Sequence, residues 1–184
     1  DLIFIAVKPH QASGVIKEIA AKVTAKKLVA SIAAGIDLKS MEGWVGKKVK
    51  LVRLMPNTPA LVNAGMTGAS PNASVTTEEM DMVRSILSGI GRCEVVPESL
   101  MEAVMAVSGS SPAYVYMFIE AMADAAVLEG MPRPMAYTFA AQAVMGSAKM
   151  VLETGRHPGA LKDMVFSPGG TTIEAVAVLE ERGF

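Results

Sequence analysis

Apolar residues arrive in two rhythms along this chain, and the rhythm changes once. In the first hundred positions, short apolar runs alternate with stretches of helical period. Leu2–Val7 is a wholly apolar run ending at Lys8-Pro9, which predicts a strand buried on both faces. Gln11–Lys22 predicts a helix, with Val15, Ile16, Ile19 and then Val23 on its inner side. Leu28–Ala33 predicts a second buried strand ending at Ala34-Gly35, and Asp37 is a plausible N-cap for a brief helix through Glu42. Val49–Met55 predicts a third strand, closed by Pro56-Asn57-Thr58-Pro59. Thr76-Thr77-Glu78-Glu79 is a capping box ahead of Met80, Val83, Ile86, Leu87 and Ile90, and Cys93–Val96 is a last short strand before Pro97. Strands separated by helices in this way predict βαβ units and a parallel sheet.

After Pro97 the strand signals stop. Ser111-Pro112 reads as an N-cap followed by proline at the first helical position, opening a helix to about Leu128. Pro134 opens a second helix that ends near Thr154-Gly155. Ala136, Ala140, Ala141, Ala143, Val144, Gly146 and Ala148 make it small and apolar nearly all round. A helix of that kind is buried on most sides, which predicts a helical module packed against another copy of itself. Short helices follow from Pro158 to Val165 and from Thr172 to the end. The predicted division is an α/β part over residues 1–98 and an all-α part over 99–184.

Composition narrows the class. The chain has 184 residues, half of them apolar, few aromatic, and a net charge of −1. That balance argues against nucleic acid or an anionic membrane as the main partner. No uncharged run free of Pro and Gly reaches membrane-span length, and no secretion signal is visible. A single cysteine, Cys93, excludes an internal disulfide and fits a reducing, cytoplasmic compartment. With only His10 and His157 beside it, no zinc-type ligand set exists. His10 reads as a surface residue and His157 as the start of a helix.

Two places can carry chemistry. Ligands of open parallel sheets bind beyond the carboxyl ends of the strands. Three loops lie at such ends: Ala6-Val7-Lys8-Pro9, Ala33-Ala34-Gly35 and Met55-Pro56-Asn57-Thr58-Pro59. Each sets small residues or proline where a flat ligand lies against backbone. Any one of them could simply stop a strand; three on consecutive strands are harder to explain so. The second place is Asp163–Leu179, where Ser167-Pro168-Gly169-Gly170 breaks the chain and Thr171-Thr172 begins a helix. Unpaired N–H groups and the helix dipole suit a small anion there, and two threonine hydroxyls add neutral donors. The competing reading is that the threonines only cap the helix.

Five motifs occur in one order: V-K-P at Val7–Pro9, S-I-A-A-G at Ser31–Gly35, M-P-N-T-P at Met55–Pro59, S-G-S-S-P-A-Y at Ser108–Tyr114, and H-P-G-A-L-K-D-M-V-F-S-P-G-G-T-T at His157–Thr172. Together they resemble the bacterial pyrroline-5-carboxylate reductases over essentially the whole chain. The resemblance implies the second half of a Rossmann-like NAD(P)-binding domain, followed by a helical domain that interleaves with a second subunit in dimers, commonly assembled into decamers. It implies reduction of 1-pyrroline-5-carboxylate to L-proline with NADPH or NADH. It places Ala6, Val7, Lys8, Pro9, Ala34, Gly35, Asn57 and Thr58 at the cofactor. Ser167, Gly169, Gly170, Thr171 and Thr172 fall on the substrate carboxylate, with Thr172 nearest the imine nitrogen as proton donor. Family members begin with a strand and a glycine-rich turn for the cofactor pyrophosphate. This chain begins after that turn and stops short of the family's final helices, so alone it is expected to bind cofactor weakly. Two other classes stay open. One is a different imine or hydroxyacid reductase, disfavoured because Ser111–Glu129 lacks the lysine a hydroxyacid enzyme would carry. The other is a non-catalytic oligomerisation module.

Overall fold

A computed structural model describes residues 1–46 and 48–184. Five strands form one sheet in chain order: β1 (Leu2–Ile5), β2 (Leu28–Ser31), β3 (Lys50–Met55), β4 (Gly65–Pro71) and β5 (Gly91–Val95). The first three run parallel, β4 is antiparallel to β3, and β5 is parallel to β4. Helices α1 (Pro9–Ile19) and α2 (Leu38–Val45) cover one face and α3 (Thr77–Leu87) the other.

The two-residue period of the strands decides which side chain meets which layer. Val29 and Leu51 join Ile16 and Met41 in one core, while Leu28, Ala30, Val52 and Leu54 join Met80 and Val83 in the other. Sandwiched this way, all four residues of β2 are buried. The same burial was expected of Leu2–Val7 and is not found. Its strand ends at Ile5, and Phe4 is 39% exposed where Ile5 is 3%. Among the described residues β1 pairs only with β2 and forms a sheet edge, so one covering layer is incomplete.

β4 is the strand that the hydrophobic pattern did not announce. Its sequence, G-M-T-G-A-S-P, holds one β-branched residue and two glycines. The small residues answer to close neighbours: a Cβ on Gly68 would lie 2.7 Å from a Val104 methyl, and one on Gly65 would lie 2.9 Å from Ala60. Asn72, just past β4, fixes its exit. Its Oδ1 accepts the Leu51 N–H, and its Nδ2 donates to the Val49 carbonyl and to Glu42.

The predicted helix starts are found at two sites and fail at one. Asp37 accepts the Ser40 N–H at 2.8 Å, and Thr76 and Glu79 exchange both bonds of a capping box. Ser111, read as an N-cap, is already helical. Its hydroxyl donates back to the Val107 carbonyl at 2.5 Å, because a short helix α4 (Met101–Val104) and a π turn (Met105–Gly109) lead directly into α5 (Ser111–Leu128).

By packing the chain divides into Asp1–Val115 and Tyr116–Phe184. The first turns of the segment beyond residue 99 therefore belong with the sheet. In the second unit, α6 (Arg133–Thr154) follows α5, then α7 (Pro158–Asp163) and α8 (Thr171–Glu181). Arg133 pairs with Asp124 at 2.5 Å and lies over the Tyr137 ring, closing the turn between α5 and α6. Ala123, Ala136 and Ala140 form a small core, and Phe184 stacks on Phe118. Within the single chain, α6 buries only Ala136 and Ala140 and leaves Phe139, Met145, Met150 and Leu152 exposed. Among the described residues no helix is long and apolar enough to cross a membrane.

Candidate functional site

At the carboxyl edge of the sheet, the loops after β1 and β2 meet. Ala6, Val7, Lys8, Pro9 and Ala34 line one open cavity of about 490 Å3, together with Gln11 and Ile32. Sequence chemistry shapes both walls. Proline at the start of α1 fixes its entry, and the N-cap Lys8 leaves that helix end without a side-chain cap. On the other wall the buried Ser31 hydroxyl accepts the Ala33 N–H, folding the chain back just past β2. The Ile36 N–H then reaches the Ala33 carbonyl, with Gly35 third in the turn at φ +75°, a conformation that favours glycine. A Cβ at Gly35 would meet nothing within 4 Å, so that backbone faces open space.

Asn57 and Thr58 sit beyond β3, the next strand in the sheet. The Asn57 amide is not idle: Oδ1 accepts the Met66 N–H at 2.8 Å and Nδ2 donates to the Ser108 carbonyl at 3.0 Å. Thr58 opens a 3-10 turn over Thr58–Val62. Neither residue lines the cavity of the first two loops.

In the second unit, Ser167-Pro168-Gly169-Gly170 is a tight turn. Gly170 donates its N–H to the Ser167 carbonyl at 3.0 Å, and Gly169 holds φ +69° at the third position, after proline. Gly170 is also the N-cap of α8, so no side chain caps that helix. The threonines stand inside the helix, not at its cap, with Thr171 exposed and Thr172 half-buried. A Cβ at 170 would lie 2.8 Å from the Ser167 hydroxyl oxygen, so a larger residue there must move that side chain. Two helices brace the turn: His157 Nδ1 accepts the Gly159 N–H to cap α7, and Lys162 on α7 pairs with Glu180 on α8 at 3.2 Å. His10 is exposed. Signals that sequence reasoning passed over are the Ser31 hydroxyl, a serine two positions before a small-residue turn, and the partners, Met66 and Ser108, of an Asn57 amide already read as able to donate and accept.

Comparison with known proteins completes the picture. The family description "Pyrroline-5-carboxylate reductase dimerisation" matches residues 98–184. Over 184 residues the chain is 63% identical to the pyrroline-5-carboxylate reductase of Escherichia coli (strain K12), covering all of this chain and 68% of that protein. The chain belongs to the pyrroline-5-carboxylate reductase family. The Methanosarcina acetivorans reductase is 49% identical over 183 residues, again with 68% of its length covered. Among solved structures, the Coxiella burnetii reductase superposes with a TM-score of 0.92 at 39% identity, covering 98% of this chain and 67% of that one. The Plasmodium falciparum reductase, solved with NADP bound, gives 0.90 at 36% identity, covering 100% and 70%. The chain thus spans about two thirds of these relatives. Membership in the pyrroline-5-carboxylate reductase family also gives the exposed apolar side chains of α6 their context, because the segment that carries them is the family's dimerisation region.

Proposed function

We propose the following division of labour for the family's reaction, the NAD(P)H-dependent reduction of 1-pyrroline-5-carboxylate to L-proline at the last step of proline biosynthesis. The loops after β1, β2 and β3 receive the cofactor, and the Ser167–Thr172 turn receives the substrate. What carries the reading is the bare start of α8: a Pro-Gly-Gly turn ending in a helix with no side-chain cap and two threonines in its first turn.

A helix end without a cap keeps its first N–H groups free for an anion. The Gly170 N–H, expected to share in this, is engaged by Ser167, so the free donors are those of Thr171, Thr172 and Ile173. They hold the ring carboxylate, helped by the Ser167 hydroxyl. Neutral donors do so without setting a fixed cation beside a carbon–nitrogen double bond that becomes more positive as it is protonated. Thr172, half-buried, directs its hydroxyl to the imine nitrogen and supplies the hydrogen bond through which that nitrogen is protonated. Because imine nitrogen is basic, a positioned alcohol suffices where a weaker base would need a strong acid.

The residues of the sheet edge fit a flat cofactor: an open cavity whose walls include Ala6, Val7, Pro9 and Ala34, with the open backbone of Gly35 next along the chain. When bound, a reduced nicotinamide supplies the hydride for the imine carbon. Val7, Lys8, Pro9, Ala34 and Gly35 orient it through backbone and apolar contact, and Asn57-Thr58 extends that surface along the sheet edge. Residues 1–98, with the first helical turns packed on their sheet, act as the cofactor domain and the rest of 99–184 as the substrate–dimer domain, the dimers assemble into larger rings, and the enzyme works in the cytoplasm.

The experiment is steady-state kinetics on this sequence extended to the length of its relatives. It is expected to oxidise NADPH only when pyrroline-5-carboxylate is present. Thr172→Ala is expected to lower kcat about 100-fold with a smaller change in KM. A change in KM alone would remove Thr172 from the chemistry.

A further inference from the structure

The S-G-S-S-P motif at Ser108–Pro112 has no part in the scheme above, yet its chain takes an unusual path. The Ser110 N–H bonds to the Met105 carbonyl five residues back, closing a π turn, a rare form frequent at functional sites. That turn is pressed against the sheet's exit loops. A Cβ on Gly109 would lie 3.0 Å from the Met55 methyl at the end of β3, and Val104 fills the space above Gly68. Between these contacts sits the Asn57 side chain, donating to the Ser108 carbonyl at 3.0 Å and accepting from Met66 N–H at 2.8 Å.

We infer that Asn57 is a positioning residue whose amide locks the Asn57-Thr58 loop to the π turn and to the start of β4, presenting that loop to the cofactor in one conformation. The inference rests on the reading that this loop borders the cofactor. The site needs one donor and one acceptor on a single short planar group, and asparagine is the side chain that has both at that length. An ionised aspartate keeps the Met66 bond but turns an oxygen toward the Ser108 carbonyl, where two acceptors repel. Protonated, the same aspartate donates to that carbonyl and restores the lock. Unlocking lets the loop sample other conformations, so cofactor binding must order it again and weakens.

The test is NADPH affinity, read by fluorescence in Asn57→Asp at pH 8, on the chain extended to the length of its relatives and compared with the unsubstituted chain. The expected result is binding about tenfold weaker, since the aspartate is ionised at that pH. Hydrogen exchange without cofactor is expected to show the Met66 amide still protected, because that bond is kept. Unchanged affinity, or a Met66 amide that loses its protection, overturns the inference. If Asn57→Asp does not fold at pH 8, Asn57→Ser replaces it, since the shorter hydroxyl cannot reach both the Met66 N–H and the Ser108 carbonyl. It is expected to weaken binding about threefold with an unchanged circular dichroism spectrum, and unchanged binding overturns the inference. Ala34→Leu fills the cofactor cavity without touching the lock. If it weakens NADPH binding while Asn57→Asp does not, the lock alone is wrong. If it has no effect, the cofactor reading falls and the lock with it.

Discussion

Leu38 donates its backbone N–H to Glu98 Oε1 at 2.7 Å across 60 positions of sequence, and Arg53 Nη1 approaches the same oxygen at 3.4 Å. Leu38 is the first residue of α2, just past the Ala33–Ile36 turn beside the sheet-edge cavity. Arg53 points from β3 with only 11% of its side chain exposed. Glu98 thus joins a helix start, a central strand and the segment after β5.

Removing that carboxylate leaves the Leu38 N–H without its acceptor and Arg53 with only the largely exposed Glu102 as ionic partner. Because Glu98 is itself about one third exposed, solvent makes up part of the loss. Glu98→Ala is expected to destabilise the fold by ~1–2 kcal/mol in urea unfolding, and Glu98→Gln by less, since it keeps an acceptor for Leu38. Equal losses would show that the charge on Arg53, not the helix start, is what matters.

The two glycines of the turn proposed to hold the substrate fail differently when a methyl is added. At Gly169 nothing lies within 4 Å, and the cost is the backbone conformation at φ +69°, about 1 kcal/mol. At Gly170 the backbone is ordinary, but the methyl meets the Ser167 hydroxyl oxygen at 2.8 Å. Gly170→Ala is therefore expected to displace Ser167 and raise KM for pyrroline-5-carboxylate about tenfold, with little change in melting temperature. Gly169→Ala is expected to lower the melting temperature more and to raise KM less. The two variants, measured by thermal unfolding and initial rates, are expected to reverse in rank between the assays.

The strands with strong patterns were legible in the chain itself. Val29, Leu51 and Val52 are β-branched or large in short bounded runs, and the capping box at Thr76 stated where α3 begins. β4 was silent because its residues are chosen for small size against Ala60 and Val104, not for apolar pattern. Ser111 misled because Ser-Pro signals a helix start locally, whereas the π turn had already carried the chain into helical geometry. At the site, small residues and prolines at three strand ends were visible in sequence. What Asn57 binds was not, since Met66 and Ser108 are brought to it by tertiary contact. The turn at Ser167–Gly170 was the most legible feature of all, its Pro-Gly-Gly order matching the turn that forms.

Self-association is expected to depend on α6. Phe139 is 63% exposed in the single chain, so a charge there costs the isolated fold little. In a dimer that covers this face, the same charge would be buried without a partner. Phe139→Asp is expected to weaken dimerisation about 100-fold by analytical ultracentrifugation while leaving helical content unchanged. An unchanged dimer would place the interface on another face of the helical unit.

Acid sensitivity has one well-defined contributor at the start of α3. Glu79 receives the Lys50 ammonium at 2.5 Å and the Thr76 N–H at 3.0 Å. The Lys50 bond first, and then the Thr76 bond, hold its carboxyl below the ordinary glutamate value of 4.5. A depressed carboxyl favours the fold in its ionised form. Its contribution is therefore complete above about pH 4.5 and is lost as pH falls through the lower, folded value. Glu79→Gln removes that contribution at neutral pH but has little left to remove in acid. The melting temperatures of the two proteins are expected to differ at pH 7 and to converge by pH 3. Asp37 also sits below its usual value, is common to both proteins and cancels in the comparison, whereas Glu78, pushed up in part by the Glu79 charge, falls somewhat further in Glu79→Gln. A gap that stayed constant from pH 7 to pH 3 would show that packing of the side chain, not its charge, accounts for the effect of the substitution.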